Sequence, residues 1–202
     1  MKLTAEKIKN VAFAGHSDSG KTSLAEALLF KTKATDRLGK ISQGNTVCDF
    51  DPEEVKREVS ISAAVAPIEV DGVKINIIDT PGLFDFAGGF YEGVRAAETV
   101  LVAVNGKDGV TVGAEKAVKL ARDLQKSMMF FISKMDIENV DFYKTFSELH
   151  NEFGSSVCPV VIPYVNNRVI ECYIDLISMK AYKYDDKGGA TSVPVPEFAE
   201  LE

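Results

Sequence analysis

The apolar positions of this chain switch between two periods. Val11-Ala12-Phe13-Ala14 is a short apolar run ending at Gly15, the pattern of a buried strand that feeds a loop. Leu24, Ala27 and Leu28 then recur at helical spacing. Residues 61–70, the pair Asp71-Gly72 and residues 73–78 read as a hairpin, with Asp-Gly as its turn. Phe86, Phe90, Val94 and Ala97 stripe a second helix, residues 100–104 a central strand, and Ala114, Ala117, Val118, Ala121 and Leu124 a third helix. Residues 128–132 read as another buried strand, and Phe142, Phe146, Leu149 and Phe153 stripe a fourth helix. Residues 35–58 carry charges, glycines and a proline without a period, and read as a long loop.

Strands alternating with helices of this length predict an α/β architecture: a mostly parallel, doubly wound sheet with one antiparallel hairpin strand. Ligands of such sheets sit at the carboxyl ends of the strands. Beyond Gly154 the character changes. Residues 160–163 and 169–177 suggest strands of a different unit, followed by a polar tail from Lys180 that includes Asp185-Asp186-Lys187-Gly188-Gly189. The expected organisation is a first domain over 1–157 and the start of a small α+β insert over 158–202.

The chain has 202 residues, of which 46% are hydrophobic and 26% charged, the balance of a soluble domain with a sizeable core. A net charge of −7 argues against a direct nucleic-acid grip in this segment, which would need clustered Lys and Arg. Cys48, Cys158 and Cys172 are odd in number and lack a C-x-x-C pair, as expected of reduced thiols. The opening Met1-Lys2-Leu3 is not followed by the apolar core of a signal peptide, and no run could span a bilayer; a cytoplasmic, non-membrane protein is expected.

Three motifs carry the chemistry. Gly15-His16-Ser17-Asp18-Ser19-Gly20-Lys21-Thr22 fits G-x-x-x-x-G-K-[ST], a loop whose backbone N–H groups cradle phosphates. Lys21 is expected on the β- and γ-phosphates, Thr22 on Mg²⁺, and Ser23 beside the nucleotide. Asp79-Thr80-Pro81-Gly82 is a D-x-x-G switch: Asp79 would hold Mg²⁺ through a water, and the Gly82 N–H would bond the γ-phosphate. Ser133-Lys134-Met135-Asp136 is one letter from N-K-x-D. Asp136 can accept from guanine N1–H and N2–H₂, which adenine cannot supply, while the stem of Lys134 covers the base and Ser133 braces the loop less well than an amide. Lys56-Arg57-Glu58-Val59-Ser60-Ile61 lies where a switch segment belongs, with Ser60 the candidate second hydroxyl on Mg²⁺, although its residues alone also read as a charged, solvated loop. Asn105-Gly106-Lys107-Asp108 has the right letters in scrambled order and is read as a decoy; Arg57 and Arg95 are read as surface or structural residues. The order and spacing of the motifs point to a guanine-nucleotide-binding domain.

Together these residues resemble elongation factor G and its translational GTPase relatives, with the P-loop GTPase fold. Gly15-His16-x-Asp18-x-Gly20-Lys21-Thr22 is similar to that family's phosphate loop, Arg57-Glu58-Val59-Ser60-Ile61 to its R-G-I-T-I segment, and Asp79-Thr80-Pro81-Gly82 with Asp85-Phe86 to its D-T-P-G-H-x-D-F. Residues 174–181 look like its inserted subdomain. The resemblance implies a ribosome-stimulated GTPase that acts as a conformational switch with Mg²⁺-GTP, with the ribosome as partner through a longer protein, and a monomer. It implies catalytic roles for Lys21 and Gly82, and for Asp18 through a monovalent cation. The catalytic histidine of the family falls at Leu83, which cannot bond a water, so the sequence leaves open a GTP-held switch with little hydrolysis, or a ribosome-protection or recycling factor. The family's S-A-[LK] motif is absent from these residues, which implies a G domain lacking its last strand and helix.

Overall fold

The computed structural model describes residues 4–166, 169–185 and 188–196. The chain forms two compact units, Met1–Val140 and Asp141–Glu202. The fourth helix, assigned by its stripe to the first domain, therefore groups with the second unit. Met1-Lys2-Leu3 and the Asp186-Lys187 pair of the polar tail lie outside the described residues.

The first unit is a five-stranded sheet in the order β2-β3-β1-β4-β5, with β1 Ile8–Ala14, β2 Ala64–Val70, β3 Val73–Asp79, β4 Thr99–Asn105 and β5 Ser127–Ser133. β1 pairs parallel with β3 and β4, and β4 with β5; β2 alone is antiparallel, against β3. The β2–β3 turn is the predicted one, with Asp71 and Gly72 at φ 49° and 77°, as a two-residue hairpin turn of the I′ kind needs. α1 (Lys21–Lys31), α3 (Ala87–Ala96) and α4 (Val112–Asp123) complete the crossovers.

Both faces of the sheet are covered because successive side chains of a strand point to opposite sides. Phe13 and Ile77 pack in one cluster with Ala25 and Leu29 of α1. Their neighbour Ile78 faces α3, where Gly93 approaches so closely that a Cβ would lie 3.1 Å from its Cγ2 and 2.5 Å from that of Thr80. α4 buries Ala114, Ala117, Val118 and Ala121, the predicted stripe.

Two expectations fail in this unit. The 35–58 segment is not structureless: it contains a one-turn 3₁₀ helix, Ile41–Gln43, and a true helix α2, Pro52–Arg57. α2 is too short to show a period, but its start is written locally. Asp51 is the N-cap with Pro52 after it, and Glu54 closes a capping box. β5 is also not a buried strand: it is a sheet edge, and Met129 and Phe131 are 54% and 37% exposed.

The second unit holds α5 (Phe142–Phe153) and a four-stranded antiparallel sheet of β6 Val161–Asn166, β7 Val169–Asp175, β8 Lys180–Tyr184 and β9 Ala190–Val193, in that order. Its core is Ile162, Cys172, Ile174 and Ala181, with Phe142 packed on it. Within the tail from Lys180, which has no apolar run, β8 and β9 pair antiparallel. The β7–β8 turn is organised by Asp175, which accepts from the backbone of Ile177 and from the hydroxyl of Ser178 at 2.9 and 2.6 Å.

Candidate functional site

β1, β3, β4 and β5 end on the same edge of the first sheet, and each of the three motifs leaves one of these ends. The fourth end, β4, carries the scrambled Asn105–Asp108 run. There the Asn105 amide bonds Asp108 Oδ2 at 2.7 Å and accepts from Lys107 N at 3.0 Å, a self-satisfied turn consistent with a structural role.

After β1, the loop enters α1 through Gly20, which caps the helix in the left-handed region at φ 87°. Lys21 turns back on its own loop: Nζ donates to the carbonyls of His16 at 2.8 Å and Gly15 at 3.3 Å. It is only 6% exposed, and burial lowers its pKa while Asp79, Asp49 and Asp18 oppose the shift. Gly82, at the end of the D-x-x-G element, lies against this loop. A Cβ there would sit 2.6 Å from both Lys21 Nζ and Ser17 N, so any side chain would push the two segments apart. Next to it, Phe84 is held edge-on to His16 at 5.7 Å and under Lys116 Nζ at 3.7 Å.

The hydroxyls of Thr22 and Ser60 meet in the same region. Thr22 Oγ1 donates to Asp79 Oδ2 at 2.6 Å, and Ser60 Oγ donates to Asp49 Oδ1 at 2.7 Å. Each hydroxyl has one hydrogen. With both directed to carboxylates, the two oxygens, 3.3 Å apart, face each other with lone pairs. The second oxygen of Asp79 is buried and has no hydrogen-bond partner among the described residues, and Asp79 itself is 1% exposed. Burial raises its pKa to about 6, against the opposing Thr22 hydrogen bond and the charge of Lys21. Burial likewise raises the pKa of Asp49. Two hydroxyl oxygens and an unpartnered carboxylate oxygen suit a hard divalent cation such as Mg²⁺.

The loop that begins at Ser133 sits beside the loop over residues 15–22. Ser133 is buried, and its hydroxyl is shared between the carbonyls of Ser19 at 2.8 Å and Val104 at 3.3 Å. Lys134, at φ 57°, bonds Asp18 Oδ2 at 2.6 Å. Asp18 is 84% exposed at its side chain, so this pair contributes little to stability.

One cleft of about 730 Å³ gathers most of the predicted residues: Lys21, Thr22, Ser60, Gly82 and Lys134, with Ser17, Asp18, Gly20 and Ser23 on its walls. Leu83 lines it beside Gly82. His16, Asp79 and Asp136 are not part of that lining, nor are Ser19 and Ser133, which are buried. Arg57 also lines the cleft; it is 62% exposed at its side chain and pairs with Glu53. Sequence reasoning missed Asp49 and Glu54. The signal that could have found them is the capping pattern Asp51-Pro52-Glu53-Glu54, which announces an ordered turn inside a segment that otherwise reads as loop.

Elongation factor G-like proteins of Mycobacterium tuberculosis (strain CDC 1551 / Oshkosh) and Thermotoga maritima are 32% and 33% identical to the chain over 193 and 181 residues, or 96% and 89% of it. The chain spans 26% of the length of each. A crystal structure of a Thermus thermophilus protein superposes with a TM-score of 0.89 at 34% identity, over 96% of this chain and 29% of that one. Among the described residues no helix is long and apolar enough to cross a membrane. Residues 6–199 match the elongation factor Tu GTP binding domain; the chain belongs to that family of GTPases, alongside the elongation factor G-like proteins.

Proposed function

We propose that this chain is the catalytic G domain of an elongation-factor-G-like translation factor, which hydrolyses GTP to GDP and phosphate as a conformational switch under stimulation by the ribosome. The observation that carries the reading is the meeting of Lys21, the Gly82 backbone and the Thr22 and Ser60 oxygens in one cleft, with Asp79 bonded to the Thr22 hydroxyl. Lys21 would give up its loop carbonyls for the β- and γ-phosphates, and Gly82 would follow the γ-phosphate. Thr22, Ser60 and Asp79 would hold Mg²⁺, which neutralises charge building on the phosphate oxygens. Asp136 would select guanine, with Lys134 along the base and Ser133 keeping the base loop against Ser19.

Leu83 supplies no group that orients water, so the isolated domain is a slow hydrolase in this reading. A monovalent cation at Asp18 would have to share its carboxylate with Lys134. The role belongs to a longer cytoplasmic protein, acting as a monomer on the ribosome. The test is GTP turnover by the full-length parent, with and without ribosomes, beside Leu83→His. Strong stimulation of the parent supports the reading. A parent that ribosomes leave unstimulated, with turnover recovered in Leu83→His, would mean that Leu83 has made a GTP-held switch.

A further inference from the structure

Ser60 is held on both sides by one residue that contacts neither hydroxyl. Glu54, 2% exposed, accepts from Ile61 N at 2.9 Å and Ser62 N at 3.0 Å through Oε1, and from Asp51 N at 3.1 Å through Oε2. Its own carbonyl accepts from Val59 N at 3.2 Å and from the N–H of Glu58, which sits at φ 55° as the C-cap of α2. The residue before Ser60 is therefore bonded to the Glu54 backbone, and the two after it to the Glu54 carboxylate. Asp51 N, at the far end of the segment, is tied to the same group. Every one of these bonds lies within residues 51–62, and none involves a ligand.

We propose that Glu54 is the positioning residue of the metal subsite: it folds residues 51–62 around its carboxylate so that the Ser60 oxygen faces Thr22. A buried carboxylate taking three backbone N–H bonds is a strong brace, because charged acceptors make the shorter and stronger hydrogen bonds. The segment is a small closed unit built on a capping box. Ser60 is delivered by the turn, and Asp49 then takes the hydroxyl hydrogen and leaves the lone pairs free. This deepens the GTPase reading and rests on it.

The test uses the whole chain with Glu54→Ala, Glu54→Gln and Ser60→Ala. Two quantities are read: hydrogen exchange of the Ile61 and Ser62 amides without nucleotide, and the Mg²⁺ concentration that half-saturates GTP binding. Glu54→Ala is expected to speed exchange at those amides and raise the Mg²⁺ requirement, each on the order of tenfold or more. GDP affinity in EDTA should stay within about twofold, since Lys21 and the base loop are untouched. Ser60→Ala should raise the Mg²⁺ requirement without changing exchange, which separates losing the ligand from losing its support. Glu54→Gln keeps the volume and one acceptor, and should fall between the parent and Ala; it decides the matter if the Ala variant does not fold. Unchanged exchange at Ile61 and Ser62, or an unchanged Mg²⁺ requirement in both Glu54 variants, would overturn the proposal. A parent that fails to retain GTP at any Mg²⁺ concentration would instead remove the GTPase reading, and the proposal with it.

Discussion

Asp79 is the point at which charge, burial and function conflict most sharply, and Asp79→Asn should expose the conflict. The carboxyl is 1% exposed and its pKa is raised from 3.8 to about 6. The folded state thus holds a proton that the unfolded chain has already released. Stability from this group is greatest below the unfolded value and is lost as pH rises through the folded one. A shift of about two units corresponds to about 3 kcal/mol in full, of which about 1.4 kcal/mol falls between pH 5 and pH 8. Asparagine cannot ionise, so the variant should lack this slope. It keeps an acceptor for the Thr22 hydroxyl, but places an amide NH₂ where the bare oxygen stood, at a cost of about 1–3 kcal/mol. The absolute difference between the two proteins therefore depends on how that amide is accommodated. The change of the difference with pH does not. Urea unfolding in EDTA at pH 5, 6 and 8 should show Asp79→Asn gaining about 1.4 kcal/mol on the parent from the lowest pH to the highest. Adding Mg²⁺ and GTP at pH 8 should stabilise the parent and leave the variant nearly unmoved. Parallel stability profiles for the two proteins across this range would refute the reasoning.

Two further outcomes follow from single contacts. Ser133→Ala removes a buried hydroxyl hydrogen shared by the Ser19 and Val104 carbonyls; it should destabilise the domain by about 1 kcal/mol, and weaken GDP binding measured by fluorescence titration, because it unties the base loop from the phosphate loop. Cys158 is exposed whereas Cys48 and Cys172 are buried, and burial pushes the Cys48 thiol up, so mass spectrometry after brief native alkylation should find one label, on Cys158, and three after unfolding.

The parallel sheet was legible because its signals are long and repeated. Val11–Ala14 before the phosphate loop, the Asp71-Gly72 turn and the alanine stripe of α4 each span enough residues for a period or a turn rule to act. What failed was short or non-local. α2 has six residues, fewer than two turns, so only its cap could announce it. β5 has the apolar content of a central strand, and its place at the sheet edge is decided by which strands pair, which no single strand encodes. The three motifs named the phosphate-loop wall of the cleft together with Gly82 and Lys134, while residues 38–42, Asp49 and residues 57–60 of its lining lie outside them. Ser133 reads from sequence as a weak brace within its own loop; its bond to the Ser19 carbonyl spans 114 positions and is invisible to any window. Asp49 and Glu54 escaped for a different reason: their partners lie close in sequence, but in an aperiodic segment where only the Asp51 cap marks an ordered turn.

The buried charges bear on the proposed cation. Lys21, Glu26, Asp49, Glu54 and Asp79 are all buried, four acids to one base. Such an excess is tolerable only where each carboxylate is otherwise satisfied. Glu54 is, by three backbone N–H groups, and Glu26 accepts from Val47 N at 2.5 Å. Asp49 takes the Ser60 hydroxyl. Asp79 alone among them keeps a buried oxygen without a hydrogen-bond partner among the described residues, and it is the one whose pKa burial raises to about 6. Hydrogen-bond saturation thus sorts the four acids by task. Glu26 and Glu54 accept from backbone and Asp49 from a hydroxyl, whereas Asp79 keeps one oxygen unpaired among the described residues, which fits the proposed cation. A polyphosphate would be repelled by these acids and attracted by Lys21, and a divalent cation the reverse. Each therefore removes the charge that opposes the other, so nucleotide and Mg²⁺ should bind with positive cooperativity centred on Asp79 and Lys21.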